Sequence, residues 1–201
     1  MFVTHLFGLF THPDSEWAAI ARQRHSLLGV LAGHVIPLAL LPALAWYWGV
    51  TRIGWTLPGG DTLYRMTPDS TVVIIALFYW AMVVGTVGLG FMVHWMARTY
   101  GSTASLADAL SLAAYTNTPL FLLGVIGLKP SLWIDLVVGT GGACFAVYLL
   151  YTGIPHMMGV SRERGYLFAS AALAVALVML IAMMGATVML WELGAMPVFT
   201  D

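Results

Sequence analysis

Five long apolar stretches follow one another along this chain, and they constrain its fold more than anything else in it. They run from Ser26 to Val50, Thr71 to Ala97, Leu106 to Leu128, Ser131 to Tyr151 and Tyr166 to Trp191. Each matches the roughly 20 helical residues that cross a hydrocarbon core. Backbone in lipid must satisfy its own polar groups, so such stretches read as helices. Charged residues make up 8% of the 201 residues, against roughly 25% in ordinary soluble domains, and the mean hydropathy is +0.89. A soluble enzyme is excluded. The expected fold is an all-α polytopic transmembrane bundle of five spans with a short amphipathic N-terminal helix.

The first stretch contains Pro37 and Pro42, which should kink its helix or end it early. Only Lys129 and Pro130 separate the third and fourth stretches, implying a tight hairpin or a partly re-entrant segment. No Lys or Arg precedes Arg22, so no cleavable leader is expected. Alternating five spans puts Arg22, Arg24, Arg98, Arg162 and Arg164 on one side and Arg52, Arg65 and Lys129 on the other. The positive-inside tendency then favours a cytoplasmic N-terminus and a periplasmic C-terminus. Pro13 with Asp14 and Glu16 after it, and Arg22 and Arg24 at the far end, forms a helix-start and helix-end pattern. Phe2, Leu6, Phe7, Leu9 and Phe10 precede it. Residues 1–25 therefore read as a cytoplasmic interfacial segment or, alternatively, as a cover packed on the bundle. Residues 26–191 read as the five-span domain and 192–201 as a periplasmic tail.

The third stretch carries Tyr115-Thr116-Asn117-Thr118-Pro119-Leu120-Phe121-Leu122-Leu123-Gly124. The fourth runs out through Tyr148-Leu149-Leu150-Tyr151-Thr152-Gly153-Ile154-Pro155-His156-Met157-Met158-Gly159-Val160, with Arg162-Glu163-Arg164 after it. With Pro13 and Trp17 ahead of them, these strings resemble the Yip1 family, in its short prokaryotic branch, from about Pro13 to the fifth span. The resemblance implies a five-helix membrane domain with a cytoplasmic N-terminus. In eukaryotic relatives it implies association with Rab-type GTPases, vesicle formation and membrane shaping. The long cytoplasmic N-terminal region of those relatives has no counterpart here, which weighs against GTPase binding. Seven arginines to one lysine, with abundant Ala, Val and Gly, point to a bacterial inner membrane.

Ionisable groups inside spans are costly and are functional candidates by default. His34, His94, Asp108 and His156 all fall toward one end of the spans, where imidazole and carboxylate can hold an ion or relay protons. Their spacing matches no recognised ligand motif, so whether a metal binds stays open. The competing reading makes Asp108 a helix-start acid and places His94 and His156 at the interface, His156 just beyond its helix. Tyr115, Thr116, Asn117, Thr118 and Pro119 form a second candidate group. Pro119 frees a backbone carbonyl, and the side chains around it either satisfy that backbone or line a polar path. Asp135 is expected to pair with Lys129 across the hairpin turn. Thr86–Gly90, Gly139–Ala143 and Gly142–Ala146 are small-residue pairs that permit close helix approach, within the chain or in a homo-oligomer. Gly139-Thr140-Gly141-Gly142 lacks the lysine of a phosphate loop.

Net charge of −1 and scattered basic residues speak against nucleic acid, and the single Cys144 allows neither an intrachain disulfide nor a thiolate metal site. No cofactor is expected. Two functions remain. One is a non-enzymatic scaffold or membrane-organising protein, binding protein partners or anionic lipid through Arg22, Arg24, Arg98, Arg162 and Arg164. The other is a small channel or transporter with a path around Asn117. They are separated by whether the polar side chains converge on a water-accessible cavity or are satisfied locally.

Overall fold

The computed structural model describes residues 8–23 and 26–200. Five helices are long and apolar enough to span a membrane. A short helix, α1 (Pro13–Ala21), comes first. It is followed by α2 (Leu27–Ile53), α3 (Pro68–Ala97), α4 (Leu106–Leu123), α5 (Leu132–Met158) and α6 (Arg162–Glu192). The expected all-α membrane bundle is what the chain forms.

Neither proline ends α2. A π-helical turn, Leu31–Val35, precedes Pro37, and the Ile36 N–H reaches back five residues to Leu31 O. Local irregularity of this kind is how a helix takes up proline. Pro42 lies inside the regular stretch, buried against Gly124, where a Cβ would strike its ring. The third and fourth stretches form a hairpin rather than a re-entrant segment. A 3-10 stretch, Gly124–Leu128, leads into Lys129, and Asp135 Oδ2 accepts from Ser131 N at 2.9 Å. Asp135 thus caps α5 instead of pairing with Lys129, because the first-turn donors lie closer to it than the lysine and the helix N-terminus favours an anion.

α5 runs two turns past its expected end and stops at Gly159, whose φ of +62° suits the left-handed cap. His156 therefore sits in the last turn of the helix, not beyond it. Pro155 is tolerated there, and its ring packs on Gly165 at the start of α6.

α1 is packed on the bundle as a cover. Trp17 and Ile20 are fully buried. Trp17 enters a slot opposite Gly153, where an added Cβ would lie 2.7 Å from both Trp17 and Leu112. Its Nε1–H donates to Thr152 Oγ1 at 3.2 Å. Around it Leu9, Leu112, Leu149, Ile154, Met158 and Phe168 make the main core, and Tyr100 stacks on Phe168 with ring centroids 4.6 Å apart. Lipid is as apolar as these side chains, so close packing, not exclusion from water, holds the spans together. Arg24, Asp201 and the apolar residues Phe2, Leu6 and Phe7 lie outside the described residues.

At the opposite end, β1 (Trp55–Thr56) pairs antiparallel with β2 (Leu63–Tyr64). The expected tail extends this hairpin. Thr67 N donates to Val198 O, Thr200 N donates to Arg65 O, and Phe199 bridges Met66. Trp55, Tyr64 and Phe199 form an aromatic cluster over the junction.

Gly153→Leu is expected to displace Trp17 and lower stability by about 1–3 kcal/mol, the usual cost of overpacking. Gly139→Leu, in the same helix with nothing within 4 Å of its Cβ position, should leave the melting temperature in detergent unchanged.

Candidate functional site

One local device recurs in four of the polar contacts between helices. A hydroxyl residue on one helix donates its only proton to the carbonyl four residues back and so turns a lone pair outward. Thr86 Oγ1 donates to Met82 O at 2.9 Å and accepts Asn117 Nδ2 at 3.0 Å. Thr118 Oγ1 donates to Ala114 O at 3.0 Å, leaving it to accept His34 Nε2–H at 2.8 Å. Thr152 Oγ1 donates to Tyr148 O at 3.0 Å and accepts Trp17. Ser170 Oγ donates to Tyr166 O at 2.9 Å and accepts Tyr151 OH at 2.8 Å. With the Thr86 proton spent on Met82, the Asn117 nitrogen is the group that donates to it, and a Thr118 proton spent on Ala114 calls for a proton on His34 Nε2.

The candidate groups separate by these bonds. His34 is buried, 3% exposed, against Thr118 and the Tyr115 ring, whose centroid lies 4.5 Å from its own. Asp108 closes a capping box with Ser105, its Oδ2 accepting Ser105 N at 3.0 Å. His156 Nδ1 donates to Thr152 O at 2.9 Å, one turn back in its own helix. His94 lies in the last turn of α3, and its Nδ1 has no partner among the described residues. No group of three or more His, Cys, Asp or Glu side chains that could hold a metal ion occurs among the described residues.

Tyr115, Thr116, Asn117, Thr118 and Pro119 divide between two sides of α4. Tyr115 and Thr118 face His34 on α2. Thr116 and Asn117 line a cavity of about 540 Å³ among α3, α4, α5 and α6. Thr116 is buried, and its hydroxyl makes no hydrogen bond among the described residues. Asn117 uses its nitrogen on Thr86, and its oxygen has no partner among the described residues. A second cavity, of about 700 Å³, adjoins the first and shares Trp46, Phe78, Ala81, Met183 and Thr187 with it. The cavities escaped sequence reasoning because their walls come from helices far apart in sequence, α3 and α6 among them, whose approach no local pattern encodes. A faint signal was there: Gly85 and Gly88 stand opposite Met183 and Met179.

The small-residue pairs are not equivalent. A Cβ at Gly90 would lie 2.8 Å from the Leu110 backbone and one at Gly142 2.8 Å from Leu123, so both mark close approaches. Gly139 and Gly141 face open space. The basic residues Arg22, Arg98, Arg162 and Arg164 gather at the end of the bundle where Ser102 Oγ donates to Met158 O at 2.6 Å, tying the α3–α4 loop to the end of α5.

The Yip1 domain family model matches residues 7–183. The inner membrane protein YohC of Escherichia coli K12 is 35% identical over 192 residues, spanning 96% of this chain and 98% of that protein. The protein of the same name from E. coli O6:H1 matches to the same extent. No solved structure gives a significant match.

Asn117→Leu and Thr86→Val should each lower stability by about 1 kcal/mol, the scale of interhelical hydrogen bonds in membranes. The double variant should cost little more than either alone. A double-mutant cycle on unfolding free energies in mild detergent reads that coupling.

Proposed function

The chain belongs to the Yip1 domain family, and from that premise we propose that it is a non-enzymatic membrane-organising scaffold of a bacterial inner membrane, binding protein partners or anionic lipid. The observation that carries this reading is that His34, Asn117 and Asp108 are each engaged in a separate local hydrogen bond. His34 is spent on Thr118, Asn117 on Thr86 and Asp108 on its own helix cap. A path for ions or protons needs such groups in series, whereas these are closed pairs on different sides of α4.

The basic end supports the same reading. Arg22, Arg98, Arg162 and Arg164 are exposed beside the helix ends, as suits contact with anionic headgroups or an acidic partner surface. Five arginines with the N-terminus, counting Arg24, against three basic residues at the hairpin end favour a cytoplasmic N-terminus and a periplasmic C-terminus. The relative's inner-membrane designation agrees with that setting.

The alternative, a small channel or transporter, draws on the cavity beside Asn117. It fits less well because the walls of that cavity are nearly all apolar.

Three measurements test the proposal. An alkaline phosphatase fusion at the C-terminus should be active and one in the Arg162–Arg164 loop inactive; the reverse overturns the orientation. Proteoliposomes should hold K⁺ and proton gradients as long as protein-free vesicles do, and Arg162→Gln with Arg164→Gln should weaken binding to phosphatidylglycerol vesicles at low salt. A leak that Asn117→Leu abolishes would instead establish transport.

A further inference from the structure

The two adjoining cavities form a groove in the half of the bundle toward the hairpin end. α6 packs tightly only near its start, where Gly165, Phe168, Ala169 and Ala172 are buried. No residue of α6 beyond Ala172 is buried. Leu177, Leu180 and Met184 line the first cavity and are 52%, 55% and 64% exposed, so the groove opens on the flank that faces lipid. Against α3 the helix rests on the ends of Met179 and Met183 laid over Gly88 and Gly85. Unbranched thioether side chains repack easily, as they do on adaptable binding surfaces.

The groove has few polar points, and the Asn117 amide and the Thr116 hydroxyl are neighbours among them. Asn117 is the twelfth residue of a helical stretch running from Leu106 to Leu128, so its amide sits near mid-membrane. Asn117 lines the cavity, and the one hydrogen bond its amide makes among the described residues is from its nitrogen to Thr86. A carbonyl without a donor is costly in hydrocarbon. No charged side chain lines either cavity. Volumes of about 540 and 700 Å³ fall in the range of ligand pockets, in which apolar walls supply area and a few placed polar groups set orientation.

We infer that this groove binds an uncharged lipid whose hydrocarbon body lies among Phe78, Leu120, Leu177 and Met183 and whose hydroxyl donates to Asn117 Oδ1. The depth of the acceptor selects the class. A phospholipid must keep its charged head at the interface, whereas a long-chain alcohol or an acylglycerol with a free hydroxyl can carry that hydroxyl to mid-membrane. There it pairs with the amide, and both desolvation costs fall together. Thr86 is a positioning residue, since its back-bond to Met82 leaves it to hold the amide nitrogen. This site is independent of whether the basic end binds partners.

The test uses the full chain in phosphatidylcholine nanodiscs with a hexadecanol carrying a mid-chain diazirine. On irradiation the label is expected on α3 and α6 residues of the groove. Excess hexadecanol should compete it away at least tenfold better than hexadecane. Asn117→Leu should lower labelling at least tenfold, and so should Ala81→Phe, which fills the junction of the two cavities and leaves the amide intact. Where either variant fails to fold, competition on the unmodified protein decides. Equal competition by hexadecane and hexadecanol would overturn the inference, since bulk lipid chains then fill the groove unrecognised. Undiminished labelling in folded Asn117→Leu would overturn it as well. Cross-links between two copies through the α3–α6 face, with no groove labelling, would give the groove to a second chain.

Discussion

The bundle depends on what a hydroxyl can do with a single proton. In hydrocarbon no water completes a hydrogen bond, so each polar side chain placed in a span needs a partner within the protein. A threonine or serine that returns its proton to its own helix is already half satisfied. It still offers an acceptor to a neighbouring element, where a donor such as the Trp17 indole, the His34 ring, the Asn117 amide or the Tyr151 phenol can dock. Those four contacts tie α1 to α5, α2 to α4, α3 to α4 and α5 to α6. Each is worth only about 1 kcal/mol, but each is directional, and direction is what apolar packing in lipid lacks.

Packing is correspondingly uneven along the membrane normal. At the arginine end Trp17, Leu112, Ile154 and Phe168 interlock around Gly153, and Tyr100 stacks on Phe168. At the other end α6 leans on methionine ends over glycines, and the cavities remain. A helix held firmly at one end and compliantly at the other gives a bundle with one rigid half and one adaptable half. The hairpin of β1 and β2, with Phe199 clasped to Met66, closes over the adaptable half from outside the bilayer. The terminal strand thereby tethers the far end of α6, which packing alone leaves loose.

The chain is a member of the Yip1 domain family and is similar to an E. coli inner membrane protein. Ahead of its first span, α1 plugs the bundle with Trp17. Leu9, Trp17 and Ile20, which precede the first span, are part of the core.

Much was legible in the residues themselves. Five spans, the helix start at Pro13, the capping role of an acid at Asp108 and the close approach at Gly142 all follow from length, hydropathy and local hydrogen-bonding rules, which act within a few residues. The hairpin between α4 and α5 was legible too, though its capping partner was not, because an acid near a helix start chooses between a backbone donor and a lysine by distance. The course of α5 through Pro155, the burial of α1, the clasp of Val198 to Thr200 and the division of the Tyr115 to Pro119 group between two faces were decided only in three dimensions. Each depends on a partner far away in sequence: Gly165 for Pro155, Gly153 and Thr152 for Trp17, Arg65 to Thr67 for the terminal strand, Thr86 and His34 for the two sides of α4. Hydropathy says that a segment lies in the membrane, and the same value serves every face of a helix. Which face meets protein, which meets lipid and which borders a groove is settled by shape and by where a donor finds its lone pair.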